Sequence, residues 1–155
     1  MYLKKKAMPK PKIIFGTDHA GFKLKEALKI FVESLGHETE DLGTHSSKAC
    51  DYPDFIFPVA KKVARDHTLK GIILGGSGEG EAMTANRIKG ARATAYYGGS
   101  NDIILLSKKH NNANILSLGA RFIDEKEAKK AVKLWLSTSF SNEERHKRRI
   151  AKLDK

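Results

Sequence analysis

A glycine-rich segment that contains a carboxylate is the stretch best suited to chemistry. Residues 75–86 read GGSGEGEAMTAN, with four glycines among residues 75–80 and Glu81 directly after them. Such glycines let a backbone approach a ligand closely, and N–H groups at the start of a helix attract an anion. A bound phosphate would repel Glu81. The carboxylate therefore either faces solvent in a first helical turn, or acts as a base beside a transient negative charge.

Polar residues follow the ends of two other apolar runs. Asp18 and His19 come after KIIFG, and Arg121 comes after NILSL. If these runs and the run before the glycine segment are parallel strands, their carboxyl ends meet at one edge of the sheet, where ligands of α/β proteins bind. The order therefore predicts that Asp18 and His19 belong to a site, with a helix cap or a turn as the alternative.

His110 and Asn111 precede the NILSL run, so simple topology places them at the opposite edge of the sheet. They reach the site only if the helix before them ends unusually, or if a second subunit supplies them. A histidine that caps a helix would explain His110 alone, but not the asparagines that follow it.

The hydrophobic pattern predicts the elements that would hold these residues. Strands are predicted at residues 12–16, 37–42, 70–74, 91–96 and 114–118, and helices at 24–35, from Pro53, at 100–109, from Asp124 and from Ser141. Alternating strands and helices with short connections predict an α/β fold, a parallel sheet covered on both faces, with the acidic strand 37–42 at its edge.

Three local features qualify these helices. Pro58 conflicts with the second helix unless its first turns are irregular or the helix begins there. Asp124 is followed three residues later by Glu127, which is the spacing of a capping box. Ser141 is followed by a glutamate at the same spacing, and predicts a second capping box for the last helix.

Length and composition limit the class of protein. The chain has 155 residues, enough for one domain, and no apolar run approaches the roughly 20 residues of a membrane helix. The single cysteine, Cys50, excludes an internal disulfide and fits a reducing cytoplasm. The first eleven residues are basic and lack the apolar core of a signal peptide. We expect them to form a disordered tail before a single domain at residues 12–155.

The formal net charge of +11 does not point to nucleic acid. Five lysines lie in the first twelve residues, and residues 142–155 carry six basic side chains against three acidic ones. Most of the surplus is therefore in a tail and one terminal helix, whereas nucleic-acid binders more often carry a basic patch with interleaved aromatic residues. We expect neither a nucleic acid nor a membrane as a partner.

Familiar nucleotide-binding loops do not fit the glycine segment. A Gly-x-Gly-x-x-Gly motif that begins at Gly76 would need a glycine where the chain has Glu81, and the acidic ribose ligand roughly 20 residues later is missing. A P-loop would need a lysine and a serine or threonine after the glycines. No cluster of cysteine and histidine has zinc-ligand spacing. A loop for a small anion, with a carboxylate in it, remains.

Five motifs in a fixed order resemble those of one enzyme family. They are DHAG at residues 18–21, DYP at 51–53, GGSGEGE…AN at 75–86, HNNANIL at 110–116 and RHKRRI at 145–150. Across residues 12–152 the chain resembles the type B ribose-5-phosphate isomerases, whose family includes galactose-6-phosphate and allose-phosphate isomerases. The resemblance implies interconversion of ribose 5-phosphate and ribulose 5-phosphate through an enediolate, as in the pentose phosphate pathway, without a metal or another cofactor.

The resemblance also implies an architecture. It is a three-layer α/β/α sandwich, Rossmann-like, with a mostly parallel five-stranded sheet and an extra C-terminal helix. The resemblance implies activity as a homodimer with sites built from both chains, and dimers that pair into a tetramer are the alternative. We expect the protein to act in the cytoplasm. Such sharing would explain why His110 lies on the wrong edge of its own sheet.

Roles for individual residues follow from the same resemblance. One group of the family has a cysteine base at the position of Gly75, and the other has a glutamate base at the position of Glu81, which this chain resembles. His110 resembles the acid that opens the furanose ring, and Ser77 would stabilise the enediolate. The implied substrate-binding residues are Asp18, His19, Tyr52, Gly76, Gly78, Glu79, Gly80, Asn111, Arg121, Arg145 and Arg149.

The physical chemistry of these side chains is consistent with those roles. A tight loop that desolvates a carboxylate raises its pKa toward neutrality, which suits a base that moves a proton between two carbons. Arg145 and Arg149 are four residues apart and share a helix face, so they would bind the phosphate together with Arg121 and His19. A solvated basic helix is the alternative for the arginine pair.

Two other functions fit the same residues. One is isomerisation of a six-carbon aldose phosphate, and the other is a non-catalytic module that binds phosphate or a nucleotide on the same fold. The joint presence of Glu81, Ser77 and His110 favours an enzyme, because a binding module needs no set of acids and bases.

Overall fold

A computed structural model of the chain describes residues 7–155. Five strands and six helices alternate along it. They are β1 (Lys12–Thr17), α1 (Phe22–Ser34), β2 (Thr39–Asp41), α2 (Tyr52–Arg65), β3 (Leu69–Gly75), α3 (Glu79–Ala85), β4 (Ala93–Tyr96), α4 (Asp102–Lys109), β5 (Ile115–Gly119), α5 (Glu125–Ser137) and α6 (Glu144–Ile150), with a short 3-10 turn at His19–Gly21. Within this part of the chain, no helix has both the length and the apolar character needed to cross a membrane.

The strands form one sheet in the order β2-β1-β3-β5-β4, and every neighbouring pair is parallel. The α/β class is therefore confirmed, and the sheet is wholly parallel rather than mostly so. β2 lies at the edge, as its acidic residues predict. The chain reverses its direction of winding between β1 and β3, and this switch point is where open α/β sheets bind ligands, at the carboxyl ends of the strands.

Two apolar cores cover the two faces of the sheet, which confirms three layers. Ile13 and Phe15 of β1 pack into one core with residues of α1, α4 and α5, among them the fully buried Trp135. Ile14, between them in sequence, packs into the other core with residues of α2 and α3. The alternation follows from the pleat of the strand, which points successive side chains to opposite faces.

The sequence left the start of α2 open and predicted capping boxes for α5 and α6. α2 runs through Pro58 without a break, and the proline costs only one hydrogen bond, to a carbonyl of the first helical turn. The capping box at Ser141 is wrong: Glu143 is the N-cap residue of α6 and makes no side-chain cap, because Asn142 adopts a left-handed φ of 60° that turns the chain. Asp124 does cap α5, accepting from the N–H of Glu127 at 2.8 Å.

Part of the basic N-terminal segment lies against the domain. The Lys10 ammonium donates to the carbonyl of Leu35, and the carbonyl of Pro11 lies 2.7 Å from Nδ1 of His37. Residues 7–11 form no helix or strand. The expected disordered tail otherwise falls on residues 1–6, which lie outside the described part of the chain.

Candidate active site

The glycine loop lies at the carboxyl end of β3, between that strand and α3. Gly78 has a left-handed φ of 79°, and a Cβ atom there would approach the carbonyl carbon of Leu118 to 2.9 Å. The hydroxyl of Ser117, fully buried on β5, donates to the Gly78 carbonyl at 2.6 Å. Only glycine meets both the backbone and the space requirement, so the loop is held tightly against the neighbouring strand.

Glu81 lies in the first turn of α3, yet its side chain points inward. Only 4 % of the residue is exposed. Its carboxylate lies over Gly75, where a Cβ atom would overlap both carboxylate oxygens. The interpretation of Glu81 as a solvated first-turn residue is therefore wrong for this structure.

Burial raises the pKa of the Glu81 carboxyl above its usual value, and the negative charge of Asp18 acts in the same direction. The main-chain N–H groups of Glu81 itself and of Gly78 act against them by stabilising the charged form. The result is a carboxylate that is a stronger base than a solvated glutamate, held beside backbone donors.

Asp18 and His19 follow β1 and reach the same edge of the sheet. Asp18 is 7 % exposed, and its Oδ1 accepts from the N–H of Ala20 at 2.9 Å. Nδ1 of His19 accepts from the N–H of Cys50 at 3.2 Å, so the proton of a neutral His19 ring sits on Nε2. The neutral His19 ring thus keeps its Nε2–H group as a donor. Asp18 has the capping role given as the alternative, and it also lies close enough to act on Glu81.

The remaining residues of the loop point in different directions. Oγ of Ser77 accepts from the N–H of Glu79 at 3.2 Å, which leaves the Ser77 O–H group free to donate. The Tyr52 ring packs on Gly80, where a Cβ atom would come within 2.9 Å of it. Glu79 instead lines a surface pocket with residues of β4, and its carboxylate raises the pKa of the exposed Tyr97 phenol.

Arg121 follows the carboxyl end of β5 and contacts the glycine loop. The main-chain N–H of Arg121 donates to the Gly76 carbonyl at 3.0 Å. The Arg121 guanidinium covers Gly76, and a Cβ atom on Gly76 would lie 3.2 Å from a guanidinium nitrogen. The side chain remains exposed. One cation therefore borders the glycine loop within a single chain.

His110, Asn111, Arg145 and Arg149 do not join this group. Gly71 and Gly75 of β3 pair with Ile115 and Gly119 of β5, so the two edges of the sheet are separated by about 13 Å at 3.3 Å per residue.

The segment before β5 lies at the amino edge. His110 follows α4 there, and its ring stacks on that of His146 in α6, with centroids 4.2 Å apart. Arg145 and Arg149 belong to the same helix α6. The chain therefore carries two separate groups of the expected site residues, one at each edge of its sheet.

Two supporting features were missed by the sequence interpretation. Ser117 looks like an ordinary strand residue, although a serine in an apolar run is a signal that its hydroxyl has a buried partner. Lys25 in α1 is fully buried, and its ammonium donates to Asp41 at 2.6 Å and to the Thr44 carbonyl at 2.7 Å. These bonds anchor the loop between β2 and α2. The same loop carries Cys50, whose N–H donates to His19.

The fold and the glycine loop define a class before any comparison. A buried, basic carboxylate beside a serine hydroxyl and a glycine-rich backbone, at the switch point of a parallel sheet, is the arrangement of an enzyme that moves a proton on a small substrate. The arrangement lacks the glycine spacing of a dinucleotide fold.

Comparison with known proteins identifies the family. A family model described as Ribose/Galactose Isomerase matches residues 13–153. The chain is 38 % identical over 140 residues to a ribose-5-phosphate isomerase B of Mycolicibacterium paratuberculosis, covering 90 % of this chain and 87 % of the relative. It is 36 % identical to the protein of that name from Escherichia coli, covering 90 % of this chain and 91 % of the relative. The chain belongs to the ribose/galactose isomerase family.

Solved structures agree with the fold. The crystal structure of a ribose 5-phosphate isomerase from Thermotoga maritima superposes with a TM-score of 0.86 at 41 % identity, covering 93 % of this chain and 97 % of that one. Ribose-5-phosphate isomerase B from Mycoplasma genitalium, solved with bound ribulose-5-phosphate, gives a TM-score of 0.84 at 35 % identity, over 92 % and 93 %. The α/β/α architecture expected from the resemblance is thus confirmed.

Proposed function

We propose that this chain is an aldose–ketose isomerase that interconverts ribose 5-phosphate and ribulose 5-phosphate. The observation that carries the proposal is the Glu81 carboxylate, buried over Gly75 with its pKa raised. The relatives named ribose-5-phosphate isomerase B support the substrate, as does the relative solved with ribulose-5-phosphate.

Proton transfer is the central step. In open-chain ribose 5-phosphate, Glu81 takes the proton from C2, and the electron pair of that bond forms the C1–C2 double bond while the aldehyde oxygen becomes negative. The proton of the C2 hydroxyl then passes to the C1 oxygen, and Glu81 returns its proton to C1 to give the ketone. One base on one face of the enediolate serves both carbons.

Donors around the loop stabilise the enediolate. We assign this role to the Ser77 hydroxyl and the N–H groups at the start of α3, because negative charge develops only in the intermediate. Preorganised donors of this kind contribute roughly 3–4 kcal/mol each in other enzymes. Tyr52 on Gly80 would border the sugar, and the backbone at Gly76 and Gly78 would approach its oxygens closely because no side chain intervenes.

Ring opening must precede that step. We assign His110 as the acid that protonates the ring oxygen as the bond between C1 and that oxygen breaks, while the C1 hydroxyl becomes the aldehyde and loses its proton to solvent. Asn111 would contact the sugar hydroxyls. Arg145 and Arg149 would hold the phosphate with Arg121 and His19, as guanidinium groups suit phosphate oxygens.

A second copy of the chain is needed to bring these groups together. Met83 in α3, Ile103 and Leu106 in α4, and the nearby Tyr97 and Phe122 are large apolar residues between 44 % and 65 % exposed. They surround the uncovered edge strand β4. In a twofold interface over this surface, the α4 end of one chain, with His110, can face the glycine loop of the other.

We therefore propose a homodimer with shared sites, alone or as half of a tetramer, that acts in the cytoplasm. A six-carbon aldose phosphate is the second candidate substrate, because the matching family model covers galactose as well as ribose isomerases. The test is to incubate the purified protein with ribose 5-phosphate, allose 6-phosphate and galactose 6-phosphate and to measure each ketose phosphate. Conversion of none of them would refute the proposal.

A further inference from the structure

His146, whose ring stacks on that of His110, has no role in the chemistry described so far. The two rings are 4.2 Å apart between centroids and only 16° from parallel. His146 is 4 % exposed, and among residues 7–155 its Nε2 atom has no hydrogen-bond partner. A buried polar atom without a partner destabilises a fold, so the presence of a histidine here requires an explanation.

Backbone hydrogen bonds fix the two segments that carry these rings. The N–H of His110 donates to the Leu106 carbonyl at 2.9 Å, which ends α4, and the N–H of His146 donates to the Glu143 carbonyl at 3.0 Å. The N–H of Ser141 donates to the Lys109 carbonyl at 3.1 Å and ties the segment before α6 to the end of α4. The backbone segments from which the two rings project are thus fixed next to each other.

The charges around His146 oppose its protonation. Burial lowers the pKa of His146 first, and His110, Arg145 and Arg149 lower it further, whereas only Glu143 acts in the opposite direction. Two protonated rings at stacking distance would also repel each other. His146 is therefore an uncharged aromatic face under the ring of His110 near neutral pH.

We propose that His146 is a positioning residue for His110: its flat ring, lying beneath that of His110, fixes the direction in which His110 presents a proton to the sugar. The proposal rests on the proposed function, in which His110 opens the furanose. A ring held from below can slide in its plane, but it cannot rotate about its side-chain bond without colliding with the ring beneath. The acid is thereby aimed before substrate arrives.

Two substrates separate ring opening from proton transfer. Ribose 5-phosphate must be opened, whereas ribulose 5-phosphate has its C5 oxygen blocked by phosphate and stays open. Exchange of the C1 hydrogen of ribulose 5-phosphate with deuterium from heavy water therefore reports Glu81 without His110. Conversion of ribose 5-phosphate reports both.

The test compares His146→Leu, which removes the aromatic face, with the matched variant His146→Phe, which keeps it. We expect His146→Leu to convert ribose 5-phosphate at least about tenfold more slowly, with exchange into ribulose 5-phosphate retained within about threefold. His146→Phe should keep both activities within about threefold. Thermal unfolding and solution mass establish that each variant is folded and assembled. If His146→Leu does not fold, His146→Gln takes its place, with the same expectation.

Three results would overturn the proposal. Unchanged conversion in His146→Leu would show that His110 needs no support. Equal loss of conversion and exchange would show a general structural effect. A His146→Phe variant as impaired as His146→Leu would show that the ring face is not what matters. If the wild-type protein shows neither activity, the proposed function fails, and this inference fails with it.

Discussion

The Glu81 carboxylate occupies the space into which a side chain at residue 75 would project. A Cβ atom on Gly75 would overlap the carboxylate, although the two residues are six positions apart and belong to a strand and a helix. A base can therefore reach this point of the site either from the strand or from the helix, but not from both. The competition gives a physical reason for the two groups that the resemblance implies, one with a cysteine base at the first position and one with a glutamate base at the second.

Substitution of Gly75 by alanine should displace the base. The added methyl group pushes the Glu81 carboxylate aside, so kcat should fall by roughly two orders of magnitude while KM changes little. Overpacking at this buried point should also lower stability by about 1–3 kcal/mol. Steady-state kinetics and thermal unfolding measure the two effects.

The double variant Gly75→Ala/Glu81→Gly is the control. Removal of the displaced side chain should restore much of the lost stability but none of the activity, a non-additive result typical of two groups in contact. Additive losses of stability in the double variant would contradict the overlap.

The charge of Asp18 should raise the lower pH limit of activity. Glu81 must be ionised to act, so kcat/KM falls as the pH drops through its pKa, which burial and the charge of Asp18 raise above 4.5. The variant Asp18→Asn keeps an acceptor for the Ala20 N–H but removes the charge, so the acid limb should move to lower pH. As a control, Glu125→Gln removes an exposed carboxylate and should leave the acid limb of the pH profile unchanged. A shift to higher pH in Asp18→Asn would be incompatible with this electrostatic assignment.

The buried base should also cost stability at neutral pH. The pKa of Glu81 is higher in the folded than in the unfolded chain, so above its folded pKa the carboxylate destabilises the fold, and that cost vanishes as the pH falls below its ordinary range near 4.5. We expect Glu81→Gln to raise Tm at pH 7, by roughly 2–4 °C for each kcal/mol gained, and not at pH 4. A lower Tm for Glu81→Gln at pH 7 would argue against a buried carboxylate that destabilises the fold.

Two inactive variants should complement each other if the sites are shared. In a dimer of Glu81→Gln with His110→Ala, one site carries both changes and the other carries neither. Random mixing makes half of the dimers mixed, so activity should recover to about a quarter of the wild-type value. Glu81→Gln mixed with Gly75→Ala, both from one edge of the sheet, should show no recovery. Absence of recovery in the first mixture, with mixed dimers demonstrated by mass, would place the two residues in the same chain's site.

Local patterns predicted most of the fold. The apolar runs predicted the five strands, and the acidic residues of β2 predicted its place at the edge of the sheet. The positions of the strand ends correctly placed Asp18, His19 and the glycine loop at one edge. These predictions held because they depend on short-range periodicity and on one rule for parallel sheets. The cap at Ser141 failed because Asn142 turns the chain, which spacing alone does not reveal.

The direction of individual side chains could not be predicted in the same way. Glu81 in a first helical turn looks solvent-exposed, and only the close approach of Gly75 shows that it points inward. Lys25 likewise looks like a surface residue in the sequence. In the structure its ammonium donates to Asp41 of the edge strand and to the Thr44 carbonyl. Such contacts join residues distant in sequence, so they depend on the packed structure.

The most direct test of the proposed mechanism is the role of Glu81 in proton transfer. Ribulose 5-phosphate is incubated in heavy water with the wild-type protein and with Glu81→Gln, and deuterium at C1 is followed by NMR, while binding of the substrate is measured separately. We expect rapid exchange with the wild-type protein, and a loss of at least about 10³-fold in Glu81→Gln with binding preserved. Near-normal exchange in Glu81→Gln would contradict the assignment of Glu81 as the base.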